Sequence, residues 1–170
     1  VVGDEAGTAI STGDENVFIG YQAGDALNTA SANVAIGTYA LSLDTKGSNS
    51  VAVGRAALAN QNFTSATDSY NTAVGARAGV EVTTGVQNTL IGGLAGDAIT
   101  TGEENTAVGK NALGANTTAS YNTSMGSSSM LVNTTGANNV ALGVNALKSN
   151  TTASNNTGIG FGALVANTTG

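Results

Sequence analysis

The side chains with the most chemistry to offer are three adjacent carboxylate pairs, Asp4-Glu5, Asp14-Glu15 and Glu103-Glu104. Two carboxylates can divide acid–base work or hold a hard cation, provided both reach one point. Neighbouring residues of a strand point to opposite faces, so these pairs are expected to be solvated turn residues. The chain has no His and no Cys. Carboxylates and hydroxyls are then the only groups left for general-base or nucleophilic work. We expect no catalytic residue, no metal site, no cofactor and no enzyme activity.

Two further sets could recognise rather than react. The stretch from Asn60 to Tyr70 is polar but carries Phe63, Asp68 and Tyr70, which are candidate receptor contacts; the alternative is a tolerated bulge whose Phe tucks against the stack. The second set is a series of amides: Asn16, Asn33, Asn71, Asn88, Asn105, Asn122, Asn139 and Asn156. Evenly placed amides could bind a ligand, or could form a structural ladder in which each donates to the carbonyl of the next. The ladder is the expectation, because it satisfies these groups internally.

What places both sets is a repeat. Gly recurs every seventeen residues at Gly3, Gly20, Gly37 and Gly54, slips by four, and resumes at Gly75, Gly92, Gly109, Gly126, Gly143 and Gly160. Short units of fixed period cannot bury a core alone and must stack. The slip falls within residues 60–70, and insertions in solenoids emerge as loops, often on a binding face. The chain opens inside a repeat and stops at a repeat boundary. Residues 1–170 are therefore expected to form one repeat domain, a segment of a longer fibrous protein.

Composition agrees. Hydrophobic residues make up 41%, aromatics 4% and charged residues only 9%, with 24 Gly and no Pro. Neutral polar side chains can stack in ladders without repulsion. The net charge of −6 and five scattered cations lack the basic footprint that nucleic acid requires. No apolar run approaches the roughly 20 residues of a membrane helix, so no membrane insertion is expected.

The copies can be compared with each other. The residue before each glycine is large and apolar (Ile36, Val53, Ile91), and the one two places earlier is β-branched (Val34, Val51, Thr89). These positions share a strand face, which we expect to be the inner one. The residue between them is small, except at Phe18 and Leu90, as if for close approach of another chain. Four residues after the glycine the position splits. Gly7, Gly24, Gly79 and Gly96 are followed three places on by Ile10, Leu27, Val82 and Ile99. Leu41, Leu58, Leu113, Met130, Leu147 and Leu164 are followed by Asp44, Gln61, Asn116, Asn133, Asn150 and Asn167. One core cavity per copy, fillable from two backbone points, explains the exchange, since close packing punishes both void and excess. The expected fold is all-β: a parallel β-solenoid of about ten seventeen-residue rungs, each with two short strands and two bends. Each rung has a thin core, and a homotrimer is expected to supply what it lacks.

The units Asn-Thr-Ala-Val-Gly (105–109), Asn-Val-Ala-Ile-Gly (33–37) and Asn-Val-Ala-Leu-Gly (139–143), with Asn-Thr-Thr runs between them, resemble two related groups. One is the head repeat of YadA-type trimeric autotransporter adhesins. The other is the repeat of phage tail fibres. The resemblance implies a parallel β-roll, left-handed in the adhesin heads, arranged as a homotrimer. It also implies an extracellular place on a virion or cell surface, and a host-surface glycan or protein as partner. The seventeen-residue period is longer than is usual in those heads. Two alternatives stand beside this fibre reading. One is a self-assembling filament of stacked copies. The other is an ice- or surface-binding solenoid, weakened by the expectation that its Thr rows lie in turns and inward positions.

Overall fold

A computed structural model describes residues 2–169 of the chain. The described residues form an all-β structure without helix, so no helix is long and apolar enough to cross a membrane. The main sheet has nine strands: β1 (Val17–Ile19), β2 (Val34–Ile36), β4 (Val51–Val53), β6 (Thr72–Val74), β7 (Thr89–Ile91), β8 (Thr106–Val108), β9 (Thr123–Met125), β10 (Val140–Leu142) and β11 (Thr157–Ile159). They pair in sequence order, each parallel to the next. The register follows the repeat, with Val17 opposite Val34 and Thr89 opposite Thr106. A bridge from Val2 to Ile19 continues the sheet at one end. The chain is thus a β-solenoid of about eight turns.

Each turn contributes one three-residue strand, where the sequence had suggested two. The second strand appears only once, as β3 (Gly47–Ser48) paired with β5 (Thr67–Asp68). Elsewhere the remainder of the turn is bends, joined to the next turn by single backbone bonds such as Gly24 N–H to Ala40 O at 2.9 Å and Gly96 N–H to Ala112 O at 2.9 Å. Tight corners explain the missing strand. The turn around Gly109 has Glu104 at φ 53°, Asn111 at φ 58° and Leu113 at φ 54°. Three left-handed residues per turn leave room for only short extended runs.

The repeated glycine has two reasons to be glycine. Its φ lies at 119–140° in all ten copies, a region that L side chains rarely enter. Its Cα also lies against the next turn. A Cβ at Gly109 would stand 2.7 Å from the carbonyl carbon and oxygen of Gly126, and at Gly75 2.5 Å from the oxygen of Gly92.

The two faces of the strands are reversed from expectation. The middle strand residues Ala35, Ala52, Ala73, Ala107 and Ala141 are fully buried, whereas in the next column Ile19, Val74, Ile91 and Met125 are exposed and Ile36, Val53, Val108 and Leu142 half-buried. Alternation was read correctly and its sign was not. The interior of a turn is narrow, and the left-handed corner sends Leu41, Leu58, Leu113, Met130 or Leu147 into it, each fully buried. With that residue and the conserved-in-register Ala40, Ala57, Ala112 or Ala146 in place, only a small strand residue fits. The Val and Ile side chains must then face outward.

The same geometry accounts for Phe18 and Leu90. A Cβ on Gly7 or Gly24 would approach the Phe18 ring to 2.5 Å, and one on Gly79 or Gly96 would approach Leu90 to 2.6 and 2.7 Å. Each large strand residue therefore lies between two turns whose corner is Gly. A smaller exchange links Ser124 and Ser129, whose hydroxyls bond at 2.5 Å inside one turn.

Gly109→Ala is expected to lose about 3 kcal/mol or more of stability through the backbone clash and the forbidden φ. Gly93→Ala, whose Cβ would meet only the Ala76 oxygen at 4.0 Å, should change it by less than about 0.5 kcal/mol. Urea unfolding of the two variants measures both.

Candidate functional site

The outward face of the nine-stranded sheet is a regular surface available for recognition. One column along it runs Val17, Val34, Val51, Thr72, Thr89, Thr106, Thr123, Val140, Thr157. The adjacent column runs Ile19, Ile36, Val53, Val74, Ile91, Val108, Met125, Leu142, Ile159. No member of either column is buried. Both columns hold β-branched or apolar side chains because short strands with a narrow interior leave them nowhere else. Strands about 4.8 Å apart make a face roughly 40 Å long and, at three residues per strand, roughly 10 Å wide. The Thr residues lie here, in the strands and facing outward, which removes the objection to a flat surface-binding array.

The insertion is folded down rather than displayed. Gln61 still bonds to Asp44, seventeen residues earlier, while Thr72 pairs with Val51, twenty-one residues earlier. Three of the four extra residues enter between Asn62 and Thr67, where Thr67 pairs with Gly47, and the fourth enters between Asp68 and Thr72. Asp44 organises them: its buried carboxylate accepts from the N–H groups of Gly47 and Phe63 at 3.0 Å each, and from Gln61 Nε2 at 2.6 Å. Phe63 is only 6% exposed and packs beside Gly47. It is withdrawn from solvent as a receptor contact, and of the two readings of the insertion the bulge with a tucked Phe describes this residue. Its N–H bond to Asp44 holds the residue at the stack while Thr64, Ser65 and Ala66 take the exposed positions. Asp68 is exposed and bonds to Asn49 Nδ2 at 2.8 Å, and Tyr70 is 55% exposed.

The Asn series is buried along most of its length, and its bonding differs from a simple amide chain. Each Oδ1 accepts the backbone N–H of the residue one turn on: Asn88 N–H to Asn71 at 2.9 Å, Asn105 N–H to Asn88 at 3.0 Å, Asn122 N–H to Asn105 at 3.1 Å. Each Nδ2 donates to a backbone carbonyl, as Asn71 does to Gly85 at 2.7 Å and Asn139 to Ala153 at 2.9 Å. Amide-to-amide bonds join only some pairs, such as Asn105 Nδ2 to Asn88 Oδ1 at 3.2 Å. A second series does form a direct amide ladder: Asn133 to Asn116 at 3.2 Å, Asn150 to Asn133 at 2.8 Å and Asn167 to Asn150 at 3.0 Å. In the sequence these four stand only as the polar partners of Leu or Met. Their constant spacing of seventeen was the signal that could have revealed them. No buried side-chain polar atom among the described residues lacks a partner.

The carboxylate pairs lie in exposed turns. Glu5 accepts a bond from Gln22 at 2.5 Å, and its charge raises the Tyr21 hydroxyl above the ordinary tyrosine value. Tyr21 also meets Tyr39 edge to face at 5.5 Å. Asp97 is raised mainly by burial, against the opposing pull of the Arg77 charge. No group of three or more metal-ligating residues occurs among the described residues. No family model, curated protein or solved structure matches this chain.

Asn71→Ala leaves the Asn88 N–H and the Gln61 Oε1 without the bonds that Asn71 supplies them. At about 1–3 kcal/mol per orphaned group, a loss of about 3 kcal/mol is expected. Asn16→Ala, at a half-buried end position with one such bond to Asn33 N–H, should lose about 1 kcal/mol. Paired thermal melts would show this gradient.

Proposed function

We propose that this chain is a rigid segment of a homotrimeric surface fibre, of the tail-fibre or adhesin kind. The observation that supports this is the outward apolar sheet face. The largest apolar patch on a soluble monomer is itself about 300–600 Å² and is often functional, and the face described above, its Thr included, comes to about 400 Å². Three such faces meeting on an axis would cover one another. The axis then lies along the Val and Ile columns, not along the buried alanines. A thin core of one large residue per turn gains most from such an arrangement.

In this reading the chain works mechanically, outside the cell or on a virion. Its parallel stacking gives reach without a hinge. Three copies held together present each outer site three times, so weak contacts combine. No chemical step is involved.

A second reading uses the same face differently. Thr72, Thr89, Thr106 and Thr123 occupy four successive turns beside Val74, Ile91, Val108 and Met125. A flat array of hydroxyls and methyls at about 4.8 Å repeat suits ice or another ordered surface. The two readings exclude each other in practice, because an axis that buries the face removes it from any surface.

Light scattering of the purified chain should give three times the 16.5 kDa chain mass. Val108→Lys, which places a charge in the middle of the face, should yield monomers with an unchanged β-type circular dichroism spectrum. A wild-type monomer would refute the trimer, and thermal hysteresis in that monomer would establish the second reading. Filaments of indefinite length in micrographs would point instead to end-to-end assembly.

A further inference from the structure

The chain has five cations against eleven acids, yet three of the five line one cleft. Arg55, Arg77 and Lys110 surround a depression of about 420 Å³ whose floor is Ala76, Gly93 and Leu94. All three cations are exposed. Their convergence follows from the repeat. Arg55 and Lys110 each follow an anchor glycine, three turns apart, and Ala76 and Gly93 hold the same place in the two turns between. Small residues in the middle of a column make the dip, and long cationic ones close its ends. We propose that this cleft binds an acidic polysaccharide, a linear glycan bearing carboxylate or sulfate groups.

The shape selects the ligand class. At about 4.8 Å per turn, the backbones carrying Arg55 and Lys110 are roughly 14 Å apart. A chain with acid groups on successive units can engage cations spread along that length at once. The floor between is apolar and shallow, and accepts the C–H face of a sugar ring. It carries no aromatic ring on which a nucleobase could stack, and the net charge of −6 repels a nucleic acid backbone as a whole. A peptide would bind by adding backbone bonds to a free edge. Here the N–H groups of Arg77, Leu94 and Asn111 already donate to Arg55, Ala76 and Gly93 at 2.8, 3.1 and 3.1 Å. Asp97 lies within the field of Arg77 and partly offsets it, so Arg55 and Lys110 supply most of the free positive charge.

The cleft belongs to a single chain. The inference names a ligand for the adhesive role proposed above, and rests on that role only for its biological sense. The test is titration of the intact chain with hexagalacturonate and with a sulfated dextran hexamer, followed by amide NMR shifts. Neutral dextran hexamer and hexaglutamate serve as the comparison probes. The shifts should centre on Ala76, Gly93 and Leu94. Arg55→Gln and Lys110→Gln should each weaken binding about fivefold, as expected for exposed charge pairs, and Asp97→Asn should strengthen it. The two acidic oligosaccharides separate a carboxylate ligand from a sulfated one. The proposal is overturned if neither binds, if neutral dextran or hexaglutamate binds as well, or if the Arg55→Gln/Lys110→Gln double variant binds unchanged. Light scattering on the same samples keeps the two ideas apart: a monomer that binds refutes the trimer alone, and a trimer that does not bind refutes the cleft alone.

Discussion

Successive anchor glycines touch through their backbones, and the rest of the structure is arranged around that contact. With the Cβ position of each lying 2.4–2.7 Å from backbone carbonyl atoms of the next, no side chain can enter the column. The contact fixes the separation of turns at one place, and the paired strands fix it beside that place. The left-handed corners then have no freedom to unwind. Each such residue would cost about 1–2 kcal/mol in isolation. The stack holds them because most corners bond to the turn above or below, as Asn111 N–H does to Gly93 O at 3.1 Å.

From this column follows an interior with an unusual division of labour. Part of it is apolar, filled by Leu or Met from a corner, or by Phe18 and Leu90 from a strand. The other part is a pair of amide series whose bonds run turn to turn. A buried amide without partners would cost about 1–3 kcal/mol, so the series can exist only if every turn keeps its place. The amides therefore guard the register that the glycine column sets. Both demand small strand residues inside, and both push the large β-branched residues out. The exposed apolar face is a consequence of how the interior is packed. In the proposed trimer, covering that face is the link from packing to function.

Much of this was legible in the residues. The period, the strand position, the parallel stacking and the exchange between Leu at one position and Ile at another all show in a comparison of copies. Sidedness did not, because alternation gives parity and says nothing about which parity is inside. Volume could have decided it: Leu113 and Ala112 already fill a turn, leaving no space for Val108 as well. The coupling of Phe18 to Gly7 and Gly24 was visible as two separate irregularities. It becomes one only when the fold shows that a strand residue sits between two corners. The insertion left two readings of Phe63 open, a contact on a displayed loop and a ring tucked against the stack, and only the fold decides for the second. The buried Asp44 that bonds its N–H stands nineteen residues away, beyond any local signal.

The reversed strand faces and their cover are tested most directly by thiol labelling. The chain has no Cys, so Leu90→Cys and Ile91→Cys each report one face of β7. In the proposed trimer both thiols should be protected. On dilution to dissociation, before unfolding, the thiol at position 91 should become reactive while the one at position 90 stays protected. A reactive thiol at 90 with a protected one at 91 in the separated chain would contradict the account.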